Sequence, residues 1–158
     1  MSLDLLMKKV NYGSRDNTRR PMAWNSDKES YCGFSTSPPW LPVNSRAEEI
    51  NVETDGKKSK SILNFYRQIL TYRRNSEIIK RGSFEDLTNE QLGCFLYKRN
   101  LLDKSVIVVC NFDKEQEILL PEEIKDGAYK TIITNYPHRT SLKGSFAPYQ
   151  VIVYEKIG

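Results

Sequence analysis

Two arginines four positions apart, Arg15 and Arg19, occupy the stretch of this chain best equipped for chemistry: Gly13-Ser14-Arg15-Asp16-Asn17-Thr18-Arg19-Arg20-Pro21-Met22-Ala23-Trp24. A guanidinium presents a planar fork of donors that suits hydroxyl groups and carboxylates. In a segment so irregular and rich in Asn and Asp, two roles are open to the pair. They contact a hydroxylated ligand, or they hold the loop through carboxylates and backbone carbonyls. Trp24 and Trp40 add ring faces for stacking, although tryptophans beside Met22 and Pro39 read first as packed side chains. Elsewhere the candidates are few. The single histidine, His138, sits in Tyr-Pro-His-Arg and reads as a surface turn. Cys32, Cys94 and Cys110 form no CxxC pair, and one histidine cannot complete a zinc site with them. There is no glycine-rich phosphate loop, so neither metal nor cofactor is expected. Paired carboxyl groups cannot be picked out of 20 acidic residues by spacing alone.

The elements that must position these residues fall into three textures. From Asn11 to Lys58 periodicity is broken by Pro21, Pro38, Pro39 and Pro42 and by Gly13, Gly33 and Gly56. Structureless loops of more than about 15 residues are uncommon in compact domains unless functional. From Ser59 to Arg74 the spacing predicts a helix, with Ser59 or Ser61 as N-cap and Arg73 and Arg74 at the negative end of its dipole. Ile62, Phe65, Tyr66, Ile69, Leu70 and Tyr72 make a wide apolar stripe that needs a partner surface: the sheet, or a second copy in a homodimer.

Beyond Ile78 the pattern turns to strands: Leu92–Arg99, Ser105–Phe112, Glu117–Leu120, Tyr129–Asn135 and Gln150–Glu155. Val106 to Val109 is continuously apolar and reads as a central strand covered on both faces, and Val151 to Tyr154 looks similar. Asn100–Lys104 and Asp113–Gln116 have the length of hairpin loops. The expected fold class is mainly β: a C-terminal antiparallel sandwich preceded by one helix and a long loop.

Composition excludes several classes. Among 158 residues, 24 basic and 20 acidic side chains leave a net charge of +4, too weak for a nucleic-acid partner. No run approaches a membrane span, and Leu5-Leu6-Met7 is too short for a secretory signal. Met1-Ser2-Leu3 reads as an appended leader. An odd number of unpaired cysteines points to a reducing, cytoplasmic setting.

The stretch Ser14 to Trp24 resembles the Arg-Asp-Asn-Ala-Arg-Thr-Pro-Met-Gln-Trp motif of the oligo-1,6-glucosidases and related α-glucosidases of the family 13 glycoside hydrolases. The likeness continues in register through Gly33-Phe34-Ser35-Thr36, Pro39-Trp40-Leu41-Pro42-Val43-Asn44, Ile50-Asn51-Val52, Ser61 to Arg67, Leu70 to Arg73, Gly82-Ser83-Phe84, Val106 to Phe112 and Pro148-Tyr149. It covers nearly everything after about Lys9.

The resemblance implies a parent with a catalytic (β/α)₈ barrel and a terminal β-sandwich. Residues 1–76 are then the tail of the barrel, the loop after its last strand plus its final helix, and 77–158 are the sandwich. It implies retaining hydrolysis of α-glucosidic bonds in short oligosaccharides, with Arg15 and Arg19 near the aglycone subsite. The family's nucleophile, acid/base and transition-state carboxylates have no matching position here, so no catalytic residue is expected in this chain and the chain by itself is expected to be inactive. Thr18, Arg20 and Ala23 depart from the family's Ala, Thr and Gln. Arg20 adds a charge and Ala23 removes an amide, which leaves 1,6 linkages, 1,4 linkages and a phosphorylated disaccharide open. A free-standing β-sandwich that binds glucans is the rival reading, requiring Phe95, Tyr97, Tyr129, Tyr149 and Tyr154 to form an exposed aromatic row.

Overall fold

The computed structural model describes residues 2–13, 15–136 and 145–158. His138 and the turn around it lie outside the described residues. The chain divides into two compact units, Met1–Asn64 and Phe65–Gly158.

The first unit opens with helix α1 (Leu3–Gly13). Leu3, Leu6, Met7 and Val10 follow the i, i+3, i+4, i+7 spacing of one helical face. The stretch from Leu3 to Gly13 is therefore helical. A 3₁₀ turn (Arg15–Thr18) and helix α2 (Val52–Lys57) are the regular elements that follow, with turns between them. Asn51 caps α2 by accepting from the Thr54 amide at 2.9 Å, and its own amide donates to the Ala47 and Glu48 carbonyls at 3.0 and 3.1 Å. Helix α3 (Ile62–Asn75) is capped by Ser61, whose hydroxyl accepts from the Asn64 amide at 3.1 Å. The Asn64 side chain reaches back to the carbonyls of Gly56 and Lys58 at 3.0 and 2.8 Å, fastening the end of α2 to the start of α3.

In the second unit, α3 leads into helix α4 (Glu77–Arg81) and strands β1 (Glu85–Asp86), β2 (Cys94–Leu101) and β3 (Lys104–Asn111). Then follow β4 (Gln116–Glu117), helix α5 (Glu122–Lys125), β5 (Tyr129–Thr134), β6 (Ser145–Phe146) and β7 (Val151–Lys156). Five strands form one antiparallel sheet in the order β1-β2-β3-β7-β5, and β4 pairs with β6 in a second, two-stranded sheet. β2 and β3 make a tight hairpin, Leu101 facing Lys104, with Leu102 at φ 55° in the turn.

β3 is buried on both faces. Ile107 and Val109 enter one core with Leu96, Ile118, Ile124, Phe146 and Ile152, beneath α5 and the small sheet. Val106 and Val108 enter the other with Ile78, Ile133 and Val153, against which Phe65 and Tyr72 of α3 pack. Several expectations change here. With helices on one face of the large sheet and α5 on the other, the fold is mixed rather than mainly β. The stripe of α3 also splits. Phe65 and Tyr72 face the sheet, whereas Ile62, Tyr66 and Leu70 are well exposed and Ile69 is partly so. Of the five aromatics proposed as an exposed row, Tyr129 and Tyr154 are core residues and Tyr149 is exposed. Phe95 lies against Tyr97, ring centroids 5.4 Å apart.

The segment Asp113–Gln116 is not a hairpin loop, because β4 pairs with β6 and not with β3. The cause is a polar hub. The buried Asn111 amide donates to the carbonyls of Lys114 (3.0 Å) and Ala147 (2.8 Å), and its oxygen accepts from the Asp113 amide (3.0 Å) and Gln116 Nε2 (2.7 Å). All four side-chain positions are used to turn the chain out of the large sheet. Truncating this residue leaves several buried groups without partners, each worth about 1–3 kcal/mol. Asn111→Ala is expected to lower the unfolding free energy by about 3 kcal/mol, read in urea as a lower midpoint at unchanged slope. A loss under about 1 kcal/mol would show that the chain turns without this hub.

Candidate functional site

The arginine-bearing segment is held by its backbone. Thr18 Oγ1 donates to the Arg15 carbonyl at 2.8 Å and the Arg19 amide to the Asp16 carbonyl at 3.2 Å, which closes the 3₁₀ turn. Downstream, the amides of Val52 and Glu53 donate to the carbonyls of Ala23 and Trp24 at 3.1 and 2.9 Å, so the end of the motif is stitched to the first turn of α2. The next bend is tighter. The amides of Trp24 and Asn25 both reach the Cys32 carbonyl, and Tyr31, Cys32 and Gly33 all have positive φ. Gly33 is required there: a Cβ would stand 2.9 Å from Asn25 Nδ2 and 3.1 Å from Trp24 Cβ.

Arg15 and Arg19 are both exposed on this frame. Arg19 Nη1 lies 3.9 Å from Asp16 Oδ1, with both side chains about half accessible. The Arg15 guanidinium has no hydrogen bond or ion pair among the described residues. Arg20 is exposed as well, while the Ala23 side chain takes no part and its carbonyl does. Trp24, 49% exposed, and Trp40, 75% exposed, are not the packed tryptophans that their neighbours suggested. Arg15, Arg19, Arg20, Trp24 and Trp40 are thus all exposed.

Several carboxylates of this unit are engaged locally. Asp16 meets Arg19, Asp27 accepts from Ser30 Oγ and the Glu29 amide, Glu48 pairs with Lys28, and Glu53 pairs with Lys57. The Ser30 hydroxyl, and then the Glu29 amide, hold the Asp27 carboxyl below its ordinary range. Among the described residues no cluster of His, Cys, Asp and Glu could hold a metal ion, and no helix is long and apolar enough to cross a membrane.

A further ionisable cluster lies on the second unit. Lys98 Nζ donates to both Glu123 oxygens at 3.0 and 2.9 Å, and Tyr129 OH lies 2.7 Å from Ser105 Oγ and 3.0 Å from Glu123 Oε2. Nothing in its spacing announced this cluster, because its members come from four elements. It fastens α5, whose Ile124 is fully buried, over the large sheet. The Lys98 bond, outweighing desolvation, lowers the Glu123 carboxyl below its ordinary range. Burial opposes the charge of Lys98, but the Glu123 bond prevails and raises it.

The profile of the family described as "Alpha amylase, catalytic domain" matches residues 2–82. The oligo-1,6-glucosidase of Bacillus cereus is 33% identical over 135 residues, which cover 85% of this chain and 24% of that protein. The trehalose-6-phosphate hydrolase of Bacillus subtilis (strain 168) is 30% identical over 145 residues, covering 89% and 26%. Among solved structures, the trehalose-6-phosphate hydrolase of Bacillus licheniformis superposes with a TM-score of 0.77 at 32% identity, over 92% of this chain and 27% of that one. The chain belongs to the alpha-amylase family. It spans about a quarter of the length of the curated relatives it matches. The family match begins at residue 2, so α1 is family sequence and the likeness reaches further back than Lys9.

A carboxyl whose folded pKa is lowered contributes stability above its unfolded pKa, and that contribution disappears as pH falls through the folded value. Glu123 is expected to act in this way. Between about pH 5 and pH 3, on either side of the ordinary carboxylate range, the native chain should lose more stability than Glu123→Gln. Urea unfolding of both proteins at the two pH values checks this, and parallel losses would count against the cluster.

Proposed function

We propose that these 158 residues belong to an α-glucosidase that hydrolyses α-1,6-glucosidic bonds in short oligosaccharides. In this reading residues 1–76 are the tail of its (β/α)₈ barrel, and 77–158 form a terminal antiparallel β-sandwich that buttresses it. The two-sheet arrangement of the second unit is consistent with the sandwich. Identity of 33% to an oligo-1,6-glucosidase over 85% of the chain is the observation that carries the proposal. Arg15 and Arg19 bind substrate beside the aglycone, on a loop that closes the barrel mouth, where such barrels carry their sites. The catalytic pair of carboxyl groups is supplied by sequence outside these residues. The three free thiols fit a reducing, cytoplasmic setting.

A second reading has one observation in its favour. Arg15, Arg19 and Arg20 put three exposed guanidinium groups on one short segment, and such groups suit phosphate. On that reading the substrate is a phosphorylated disaccharide, as printed in the name of the trehalose-6-phosphate hydrolases.

The chain alone is expected to release no product from isomaltose, trehalose 6-phosphate or p-nitrophenyl α-glucoside. Turnover that disappears when one of its own acidic residues is mutated would overturn the proposal. In the parent enzyme, Arg19→Ala should raise KM by about tenfold, the loss of one hydrogen bond from a charged group. The substrate that responds more strongly decides between the two readings. The bare face of α3 gives a further expectation. In the parent it packs on the barrel, and in the chain by itself a second copy covers Tyr66, Ile69 and Leu70. Light scattering should show a dimer that Leu70→Glu dissociates; a monomeric native chain would refute it.

A further inference from the structure

We propose that a cleft at the end of the five-stranded sheet binds a neutral, polyhydroxylated ligand, a short glucose oligomer, at a site separate from the Arg15–Arg19 loop. The cleft lies wholly within Phe65–Gly158, between the end of α3 and the β2–β3 turn, and encloses about 810 Å³. That falls in the roughly 300–1,000 Å³ range of small-ligand pockets. Strand register sets its floor. Val106, Glu155 and Lys130 are direct neighbours across β3, β7 and β5, on the face that carries α3. Val106 is fully buried, Ile78 nearly so, and both line the cleft.

Its polar groups are oriented. Tyr72 OH donates to Glu155 Oε2 at 2.9 Å, and the Ser76 side chain bonds to the same phenol. Burial first, and the Glu155 carboxylate second, hold the phenol protonated well above its ordinary range. Tyr72 is therefore committed as a donor to one carboxylate oxygen, while Glu155 Oε1 has no partner among the described residues. Lys130 stands directly opposite Glu155 in the ladder, yet no ion pair joins them among the described residues. Lys104, on the rim, is likewise unpaired there. The site thus offers a positioned acceptor beside uncommitted ammonium donors over an apolar floor.

Charge balance selects the ligand. Lys104, Lys130 and Lys156 line the cleft together with Glu77, Asp103 and Glu155. A phosphate would meet Glu155 at the floor, and a cation would meet the lysines. Hydroxyl groups both donate and accept, and they satisfy both kinds of partner without net charge. Only the choice of glucose as the repeating unit rests on the proposed function; the preference for a neutral polyol follows from the cleft.

The test is amide NMR of the 158-residue chain titrated with isomaltotriose, with inorganic phosphate as the anionic probe. Saturable shifts are expected at Leu101–Lys104 and Glu155–Gly158. Affinity should fall about tenfold in Glu155→Gln, as for the loss of charge from one hydrogen bond. The variant Lys130→Ala, which leaves the Tyr72–Glu155 bond intact, should weaken binding in the same direction. No saturable shift in the cleft, shifts confined to the Arg15–Arg19 loop, or a response to phosphate in place of the sugar would each overturn the proposal. The readout is binding at a stated place, so it fails or succeeds independently of the hydrolysis assays.

Discussion

Strand β3 is the constraint on which the second unit depends. Its alternation sends Ile107 and Val109 into one core and Val106 and Val108 into the other, so one stretch of backbone belongs to both. Each of these side chains contributes about 1.5–3 kcal/mol by leaving water, and none can be exchanged between faces. A slip of one residue in pairing would move every side chain to the wrong side. The register of β2 and β7 on either side is thereby set, and with it the Val106–Glu155–Lys130 row at the sheet's end. The position of Tyr72 on α3 then follows, since its phenol has its acceptor on that row.

Apolar burial cannot choose where a chain turns; amide side chains do so here. Asn51, Asn64 and Asn111 each bond backbone groups that regular structure leaves unpartnered, at the start of α2, between α2 and α3, and at the exit of β3. Asparagine suits these places because one side chain both donates and accepts. Gln91 does the same across a longer gap. Its oxygen accepts from the Leu119 amide at 2.6 Å and its nitrogen lies 3.3 Å from the Leu119 carbonyl, binding the approach to β2 to the segment after β4.

This division of labour explains what could be read from the sequence. The Val106–Val109 run announced a central strand because two-sided burial demands unbroken apolar residues, and α3 was visible from its period and its Ser61 cap. Which part of the α3 stripe meets the sheet was not visible. Phe65 and Tyr72 share a face with polar neighbours, while the more conspicuous Tyr66, Ile69 and Leu70 point elsewhere. The β4–β6 pairing was hidden for a different reason. Two-residue strands have no period, and the hub that directs them acts from Asn111 on residues as distant in the chain as Ala147. At the loop, the motif nominated Arg15 and Arg19, and the Asp16 partner of Arg19 follows from i,i+3 spacing. The stitching of Ala23 and Trp24 to α2 is long-range backbone pairing, on which residue type is silent.

The same loop shows how order and availability can coexist. Its backbone is fixed by bonds among Ala23, Trp24, Cys32, Val52 and Glu53, none of which uses a guanidinium or an indole. The ordering entropy of the segment, about 1–2 kcal/mol per residue, is thus met before any ligand arrives, which is the advantage of preorganisation. What holds Arg19 in place is a half-exposed pair at 3.9 Å, and exposed pairs contribute only about 0–1 kcal/mol. The Arg19 side chain is thus only weakly tied to Asp16, and the Arg15 guanidinium has no hydrogen bond or ion pair among the described residues. The frame is bonded through its backbone, while the guanidinium groups to which the proposed function assigns substrate are loosely tied.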